Sequence, residues 1–213
     1  MMPTPARRQR GTLRPIVFGR QAIGLIENGF QTQTRRLVRV PAGWQASHIL
    51  QSSHPIVCCV PARRQSGDER SKELVCPYGR IGDLLWVKEA WRQRPGAVER
   101  DVEYRADYHP AELEREARAG DAPAWRSPLL MLPGDARFWL RIRGVRAQGI
   151  EAISNVDILA EGIQCPAHPR AICACEAQRA RYRQHWNGIH REHPDRQMSK
   201  NPLVWAVTFE LVG

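Results

Sequence analysis

The stretch LVWAVTFEL, residues 203–211, has an apolar side chain at every second position from its first residue to its last. In an extended chain these side chains share one face, which is the pattern of a strand packed on a hydrophobic core. The stretch FWLRIRGVR, residues 138–146, alternates in the same way, with Phe138, Leu140 and Ile142 on the inward face. The two stretches predict two long strands, each with one face on the core.

Shorter elements surround these strands. Residues 14–18, 84–89 and 102–105 have the composition of strands, and helices are predicted over 21–28, 110–118, 154–162 and 176–186. Asn28-Gly29 is a typical helix end, and Ser154 with Asp157 is a typical helix start. Because strands and helices do not alternate regularly, the pattern excludes a doubly wound sheet. It favours an α+β fold, a small mixed β-barrel with flanking short helices and long loop insertions.

The domain organisation follows from the same patterns. Residues 1–13 lack periodicity and are rich in arginine and proline, which predicts a disordered basic tail. Residues 14–213 are predicted to form a single domain with insertions at about 41–75, 95–135 and 164–176. The first insertion is expected to be a long loop or a pair of loosely formed strands. Trp86 and Trp205 are expected in the core.

The net charge and the arginine content of the chain indicate which kind of partner to expect. The 213 residues carry a formal net charge of +10, and all but three of the 32 basic residues are arginines. Arginine binds phosphate through two parallel hydrogen bonds and stacks on bases, so this composition favours RNA or DNA as a partner. Residues 97–122 instead carry eight acids against four arginines, which predicts a solvated acidic segment. No apolar run is long enough to span a membrane and no secretory signal is visible, so we expect a cytoplasmic protein without a membrane partner.

Seven segments in a fixed order carry a resemblance to a known family. They are RPIVF (14–18), GFQTQTRR (29–36), CPYG with GD (76–79 and 82–83), LWVKEAW (85–91), IS with AEGI (153–154 and 160–163), YRQHW (182–186) and NPLVW (201–205). In this order and spacing the chain resembles the ASCH domains of the PUA-like superfamily, in particular their prophage-encoded branch. The resemblance covers about 190 residues, nearly the whole chain.

The resemblance implies a fold, a site and two activities. It implies a PUA-like β-barrel with a cleft beside the helix that precedes the Gly-x-x-Thr-x-Thr segment, and binding of RNA, DNA or modified bases. Some small members of the family are amidohydrolases that remove the acetyl group from 4-acetylcytidine with a lysine, a threonine and a glutamate. The threonine matches Thr34 and the glutamate matches Glu161, whereas Gln31 replaces the lysine. Since Gln31 does not titrate, the substitution argues against deacylation.

The nucleic-acid-binding residues are expected around this site. Gln31, Thr34 and Glu161 would read the edge of a base in one cleft. Phosphate and base contacts are expected from the basic, polar and aromatic residues Thr32, Arg35, Arg36, Lys88, Glu89, Trp91, Arg141 and Arg143.

Four residues form a weak candidate metal site: Cys165, His168, Cys173 and Cys175. They are zinc ligands by type, but their spacing matches no standard zinc finger or ribbon. Reduced cysteines in a loop insertion explain the pattern better, and no cofactor is expected.

Three functions therefore stay open. The preferred one is a phage or prophage protein of the ASCH type that binds nucleic acid or a modified nucleotide in a bacterial host cell. The second is an amidohydrolase on 4-acetylcytidine-like nucleosides, with Thr34 as nucleophile or positioning hydroxyl and Glu161 as proton carrier. The third is a phage accessory protein that binds a host protein.

Overall fold

The computed structural model describes residues 12–63, 69–94, 101–120, 123–165, 168 and 176–212. Within them it contains ten strands and four α-helices, so the chain is a mixed α+β protein. The strands are β1 (Leu13–Val17), β2 (Gln33–Leu37), β3 (Trp44–Leu50), β4 (Ile56–Pro61), β5 (Lys72–Val75), β6 (Leu84–Lys88), β7 (Trp91–Gln93), β8 (Val102–Tyr104), β9 (Trp139–Gly149) and β10 (Leu203–Leu211). The helices are α1 (Arg20–Glu27), α2 (Pro110–Ala119), α3 (Asn155–Ala160) and α4 (Glu176–Ile189). None of the helices in the described part of the chain is long and apolar enough to cross a membrane.

The main sheet has five strands in the order β1-β6-β9-β10-β2. β1 runs parallel to β6, and every other neighbouring pair is antiparallel. Among the described strands, β1 and β2 are the two edge strands of this sheet. β3, β4 and β5 form a separate antiparallel sheet, and β7 pairs with β8. The α+β prediction is confirmed. Among the described strands, no pairing closes a sheet into a barrel.

Apolar residues pack on both faces of the main sheet. The larger core lies against the second sheet and includes Leu140, Ile142 and Trp205 from the main sheet and Val57 and Cys59 from β4. On the other face, a smaller core packs beneath α3 and α4. β10 therefore buries Val204 and Ala206 as well as the face that its alternation predicts. Trp86 and Trp205 are buried, as expected.

The local sequence explains the helix ends. Ser154 accepts a hydrogen bond from the amide of Asp157, and the Asp157 carboxylate accepts one from the amide of Ser154, which is the reciprocal pair that starts a helix. Asn28 caps the end of α1, and Gly29 follows with φ of 71°, in the left-handed region that suits glycine. Glu161 caps the end of α3, and Gly162 follows with φ of 79°. These two ends position the site.

The segment 41–75, which was expected to be a long loop or a pair of loosely formed strands, is more regular than either expectation. It contains three strands, β3, β4 and β5, and Val57 and Cys59 of β4 are fully buried in the larger core. All six residues of IVCCVP (56–61) are apolar, so the sequence does not distinguish the buried face of β4 from the half-buried one. At the N-terminus, β1 begins at Leu13 and the amide of Thr12 donates to Asp83 Oδ1 at 2.9 Å, so these two residues of the predicted tail are ordered. Residues 1–11 lie outside the described residues.

The acidic segment is not simply solvated. Arg92 is buried, and its guanidinium donates to Glu103 at 2.7 Å and to Glu116 at 2.9 Å. Trp125 covers it at 4.1 Å from the ring centroid. Two of the acids in residues 97–122 therefore neutralise an arginine that the strand β7 carries inward.

Candidate functional site

The turn after α1 lies directly against the end of α3. Gln31 and Glu161 form an isolated antiparallel bridge, and the amide of Thr32 donates to the carbonyl of Ala160 at 2.8 Å. The amide of Gln31 donates back to Leu25 of α1 at 3.0 Å. The structure thus brings together two of the three residues that the sequence placed in one site, although they are 130 positions apart.

Arg35 is the centre of a buried ionic cluster next to this bridge. Its guanidinium lies 2.8 Å from Glu161 Oε1 and 3.0 Å from Asp157 Oδ2, and it donates to Gln33 Oε1 at 2.6 Å. Its side chain has no exposed surface, and those of Asp157 and Glu161 are 13% and 11% exposed. The cluster ties β2 to both ends of α3. Arg35 therefore does not present a surface to a phosphate.

The two carboxylates of the cluster respond to it in opposite directions. Burial raises the pKa of Glu161 from 4.5 to about 7, and this effect exceeds the opposing influence of Arg35 and Arg36. Burial also acts on Asp157, but hydrogen bonds from Arg146 and Ser154 and the charge of Arg35 lower its pKa to about 2. At Glu161 the effect of burial outweighs the charges of the two arginines, whereas at Asp157 the hydrogen bonds and the charge of Arg35 outweigh burial.

Tyr182 of α4 adds a buried hydroxyl to the cluster. Burial raises the pKa of Tyr182, and the negative charges of Glu161 and Asp157 raise it further. Among the described residues its hydroxyl has no hydrogen-bond partner. The polar groups around Glu161 are therefore packed from three elements, β2, α3 and α4.

Thr34 points to the opposite face of β2. Side chains alternate along a strand, so Gln33, Arg35 and Leu37 face α3 and α4, and Leu37 indeed packs on the smaller core. Thr34 is 5% exposed and shares the other face with Arg36. Arg36 stacks over Phe18 at 5.0 Å and donates to the carbonyl of Val17 at 2.6 Å. Thr34 and Glu161 are thus separated by the strand itself.

Two cavities open beside the Gln31–Glu161 bridge. The larger, which we call the α1–α4 cleft, has a volume of about 740 Å³. Its lining combines an aromatic ring, amides and basic groups, and consists of Gln21, Leu25, Phe30, Gly162, Ile163, Gln164, Arg181, Gln184, His185, Gly188 and Ile189. The smaller, which we call the α3 cavity, has a volume of about 400 Å³ and is lined by Gly29, Phe30, Thr32, Val156, Leu159, Ala160 and Gln164. Both volumes lie within the roughly 300–1,000 Å³ typical of small-ligand sites.

Gln31 and Glu161 lie behind the floor of the α1–α4 cleft. A Cβ atom added to Gly162 would lie 3.5 Å from Gln31 Cβ and 2.8 Å from Leu25 Cδ1. The Nε2 atom of Gln31 donates to the carbonyl of Gln33 at 3.1 Å, and the Gln31 side chain is buried. The bridge between Gln31 and Glu161 therefore fixes the position of residues 162–164, which line the cleft.

The residues predicted after β6 are buried or bound internally. Trp91 is 5% exposed and lies under Arg126, at 5.1 Å from its ring centroid. Glu89 is 3% exposed and accepts hydrogen bonds from Arg137 at 2.9 and 3.1 Å. Lys88 donates to the carbonyl of Leu129 at 2.7 Å. In this arrangement Trp91 has no free face for stacking on a base.

The strand arginines Arg141 and Arg143 lie on the exposed face of β9, as the alternation predicts. Arg143 pairs with Glu210 on the neighbouring strand β10. Neither Arg141 nor Arg143 lines the α1–α4 cleft. Thr32 is exposed and lines the α3 cavity.

The structure describes two of the four candidate zinc ligands, Cys165 and His168. The Cys165 Sγ atom lies 3.7 Å from His168 Nδ1, and Cys165 is buried. Cys173 and Cys175 lie outside the described residues. Among the residues that are described, no three potential metal ligands lie together.

The sequence reasoning missed the residues that line the α1–α4 cleft. Five of them, Arg181, Gln184, His185, Gly188 and Ile189, lie on α4 at spacings of three, one, three and one residues, so they share one face of the helix. The adjacent face of the helix buries Gln178, Tyr182 and Trp186. The spacing of four between these buried residues could have identified the core-facing side of α4 from the sequence. The other residues of the helix would then have been predicted to lie on the surface.

Comparison with known proteins identifies no relative of this chain. No family model, no curated protein and no solved structure matches the chain. What the fold and the site define is a class, an α+β protein with a polar cleft between two helices above a buried ionic cluster.

Proposed function

We propose that this chain binds nucleic acid, or a modified nucleotide, through a base held in the α1–α4 cleft, and that it is a phage or prophage protein of the ASCH type. The observation that carries the proposal is the cleft itself, with its volume of about 740 Å³ and its lining of one aromatic ring, three amides and an arginine. The order of the seven sequence segments supports the ASCH assignment, with its PUA-like barrel.

The lining suits a base in its chemistry. Phe30 offers a ring on which a base can stack, an interaction worth about 1–3 kcal/mol per base. The amides of Gln21, Gln164 and Gln184 each carry two donors and one acceptor oxygen, which matches the mixed donors and acceptors on a base edge. Apolar ligands gain little from three amides, so the lining favours a polar, planar ligand.

Two groups of α4 complete the cleft. Arg181 lies at its edge, where its Nη1 atom is 3.4 Å from the carbonyl of Gln164, and it is exposed enough to meet a phosphate. Burial lowers the pKa of His185, so this imidazole is neutral at pH 7 and offers one donor and one acceptor. The net charge of +10 favours the approach of a polyanion.

The ionic cluster is assigned a supporting role. Glu161 and Asp157 anchor α3 to Arg35 of β2, and Gly162 to Gln164 follow at once as the floor of the cleft. The residues that the family motif highlights therefore fix the cleft from behind, and the base contacts pass to Phe30, Gln164 and α4.

The experiment measures binding of fluorescent single-stranded RNA and DNA by anisotropy at several salt concentrations. Gly188→Trp places a ring in the cleft, since a Cβ at Gly188 meets no atom within 4 Å, and we expect at least a tenfold loss of affinity. Val75→Trp, at a site 65% exposed on β5, is the matched control.

A second pair of variants tests the phosphate contact. Arg181→Ala should lower the slope of log affinity against log salt by about 0.7, because one phosphate contact on a single strand is lost. Arg115→Ala, on the exposed surface of α2, should leave the slope unchanged. Equal binding by Gly188→Trp and Val75→Trp, or no binding of any nucleic acid by the unaltered chain, would refute the proposal.

One observation favours the amidohydrolase as a second candidate. A carboxyl group with a pKa of about 7 can both accept and donate a proton at neutral pH, and Glu161 is such a group. Against it, Thr34 lies on the other face of β2 and Gln31 replaces the lysine. Incubation with 4-acetylcytidine decides the matter: release of acetate that Glu161→Gln abolishes and Thr34→Ala reduces would establish it. Binding to a host protein stays a prediction.

A further inference from the structure

Phe30 and Gln164 are the two residues that line both cavities. The α1–α4 cleft and the α3 cavity therefore meet at these two residues. The backbone holds Phe30 in this position, since its amide donates to the carbonyl of Leu25 at 2.8 Å and the next amide, that of Gln31, donates to the same carbonyl at 3.0 Å. Gly29, with φ of 71°, provides the turn that brings the ring there. The backbone therefore holds Phe30 at the place where the two cavities meet.

We propose that the ligand is a single strand of nucleic acid and that two successive nucleotides bind, one in each cavity, with the Phe30 ring between their bases. This inference rests on the proposed function, because it assumes that the α1–α4 cleft takes a base. It adds the substrate class, a single strand of at least two nucleotides, and a second subsite.

The two cavities differ in chemistry, and so should the two subsites. The α3 cavity is lined by Val156, Leu159 and Ala160, with the Thr32 hydroxyl and the Gln164 amide as its polar groups. Such a lining accepts the face of any base and reads little of its edge. The amides and His185 of the α1–α4 cleft instead contact an edge. We therefore expect base preference at one position and tolerance at the other.

A duplex does not fit this arrangement. Bases on the two sides of an aromatic ring are unstacked from each other, and the cleft covers the edge that a paired base uses for its complement. A paired segment would have to lose its pairing at both positions before it bound. The volume of about 400 Å³ in the α3 cavity is large enough for a base and lies open to solvent beside Val156, which is 55% exposed.

The test compares ligands of increasing length with one variant and its control. Calorimetric titration measures the affinity of nucleoside monophosphates, dinucleotides and a blunt duplex, each as RNA and as DNA. For the unaltered chain we expect a dinucleotide to bind about tenfold more tightly than the better of its two mononucleotides, equivalent to about 1.4 kcal/mol. The duplex should bind at least tenfold more weakly than the single strand of the same length.

Val156→Trp fills the α3 cavity from an exposed position of α3, and Val75→Trp is again the control. We expect Val156→Trp to leave mononucleotide binding in the α1–α4 cleft unchanged, because Val156 does not line that cleft, and to remove the tenfold gain of the dinucleotide. If mononucleotides bind but dinucleotides gain nothing, or if Val156→Trp keeps the full gain, the inference is wrong while the proposed function stands. If no mononucleotide or oligonucleotide binds, the proposed function itself has failed.

Discussion

Replacing Glu161 by glutamine should change how the stability of the protein depends on pH. In the folded chain the pKa of Glu161 is about 7, against 4.5 for an ordinary glutamate. Below pH 4.5 both the folded and the unfolded chain carry the proton. Between pH 4.5 and 7 the folded chain keeps a proton that the unfolded chain has lost, so the free energy of unfolding falls as the pH rises.

The size of the effect follows from the difference between the two pKa values. A difference of about 2.5 corresponds to about 3 kcal/mol at 1.36 kcal/mol per pH unit. Glutamine has the shape of the protonated carboxyl group and does not titrate. Relative to Glu161→Gln, the unaltered chain should therefore lose about 3 kcal/mol of stability from pH 4.5 to pH 8. Asp157, whose pKa is about 2, titrates below this range.

Urea unfolding at half-unit steps from pH 4.5 to pH 8.5 measures the effect. The difference in unfolding free energy between the two chains at each pH removes the contributions of all other groups, provided that both chains have the same slope against urea. Glu151→Gln, on the exposed surface before α3, is the control and should run parallel to the unaltered chain. A constant difference between the unaltered chain and Glu161→Gln across the range would refute the reasoning, and so would a rise with pH.

Two further predictions concern the cleft and its floor. Gly188→Ala should raise the free energy of unfolding by up to ~1 kcal/mol, because alanine favours a helix and its methyl group enters open space, whereas Gly162→Ala should lower it by about 1–2 kcal/mol because φ is 79° there. Thermal melting of both variants checks this, and equal shifts in the same direction would contradict it. Gln31→Lys places an ammonium group beside Glu161 across the bridge and should lower the pKa of Glu161. The loss of stability between pH 4.5 and 7 should then shrink in the same urea titration, and an unchanged loss would show that the lysine points elsewhere.

Local patterns were enough to predict the elements that hold the site. The alternation in 138–146 and 203–211 indicated β9 and β10, and the Ser154 and Asn28-Gly29 signals placed the start of α3 and the end of α1. Each of these depends on residues within one turn or one strand of each other. β3, β4 and β5 were predicted only as loop or loose strands, because β4 is apolar at every position and shows no alternation in the sequence.

The site was harder to predict than the fold because it depends on which residues meet. The approach of Gln31 to Glu161 followed from the family motif, and the structure shows them bridged. The pairing of Arg35 with Asp157 and Glu161 depends on the packing of β2 against α3, which no local pattern encodes. The ion pair between Glu89 and Arg137 is a second example. The strand pattern predicts that Glu89 lies next to β6, but its contact with Arg137 depends on the fold.

The fate of the arginines shows why net charge alone was a poor guide to the interface. Arg35 pairs with Asp157 and Glu161, Arg92 with Glu103 and Glu116, and Arg137 with Glu89 and Asp107. Each is a guanidinium that sequence alone would count toward the phosphate-binding surface, yet each is held between two carboxylates. Acids and bases that cancel in this way leave the net charge of +10 unchanged, but they decide which arginines a nucleic acid can reach. The proposed nucleic-acid interface should therefore include an arginine that borders a cavity and contacts no carboxylate in the described structure, and Arg181 at the α1–α4 cleft meets both conditions.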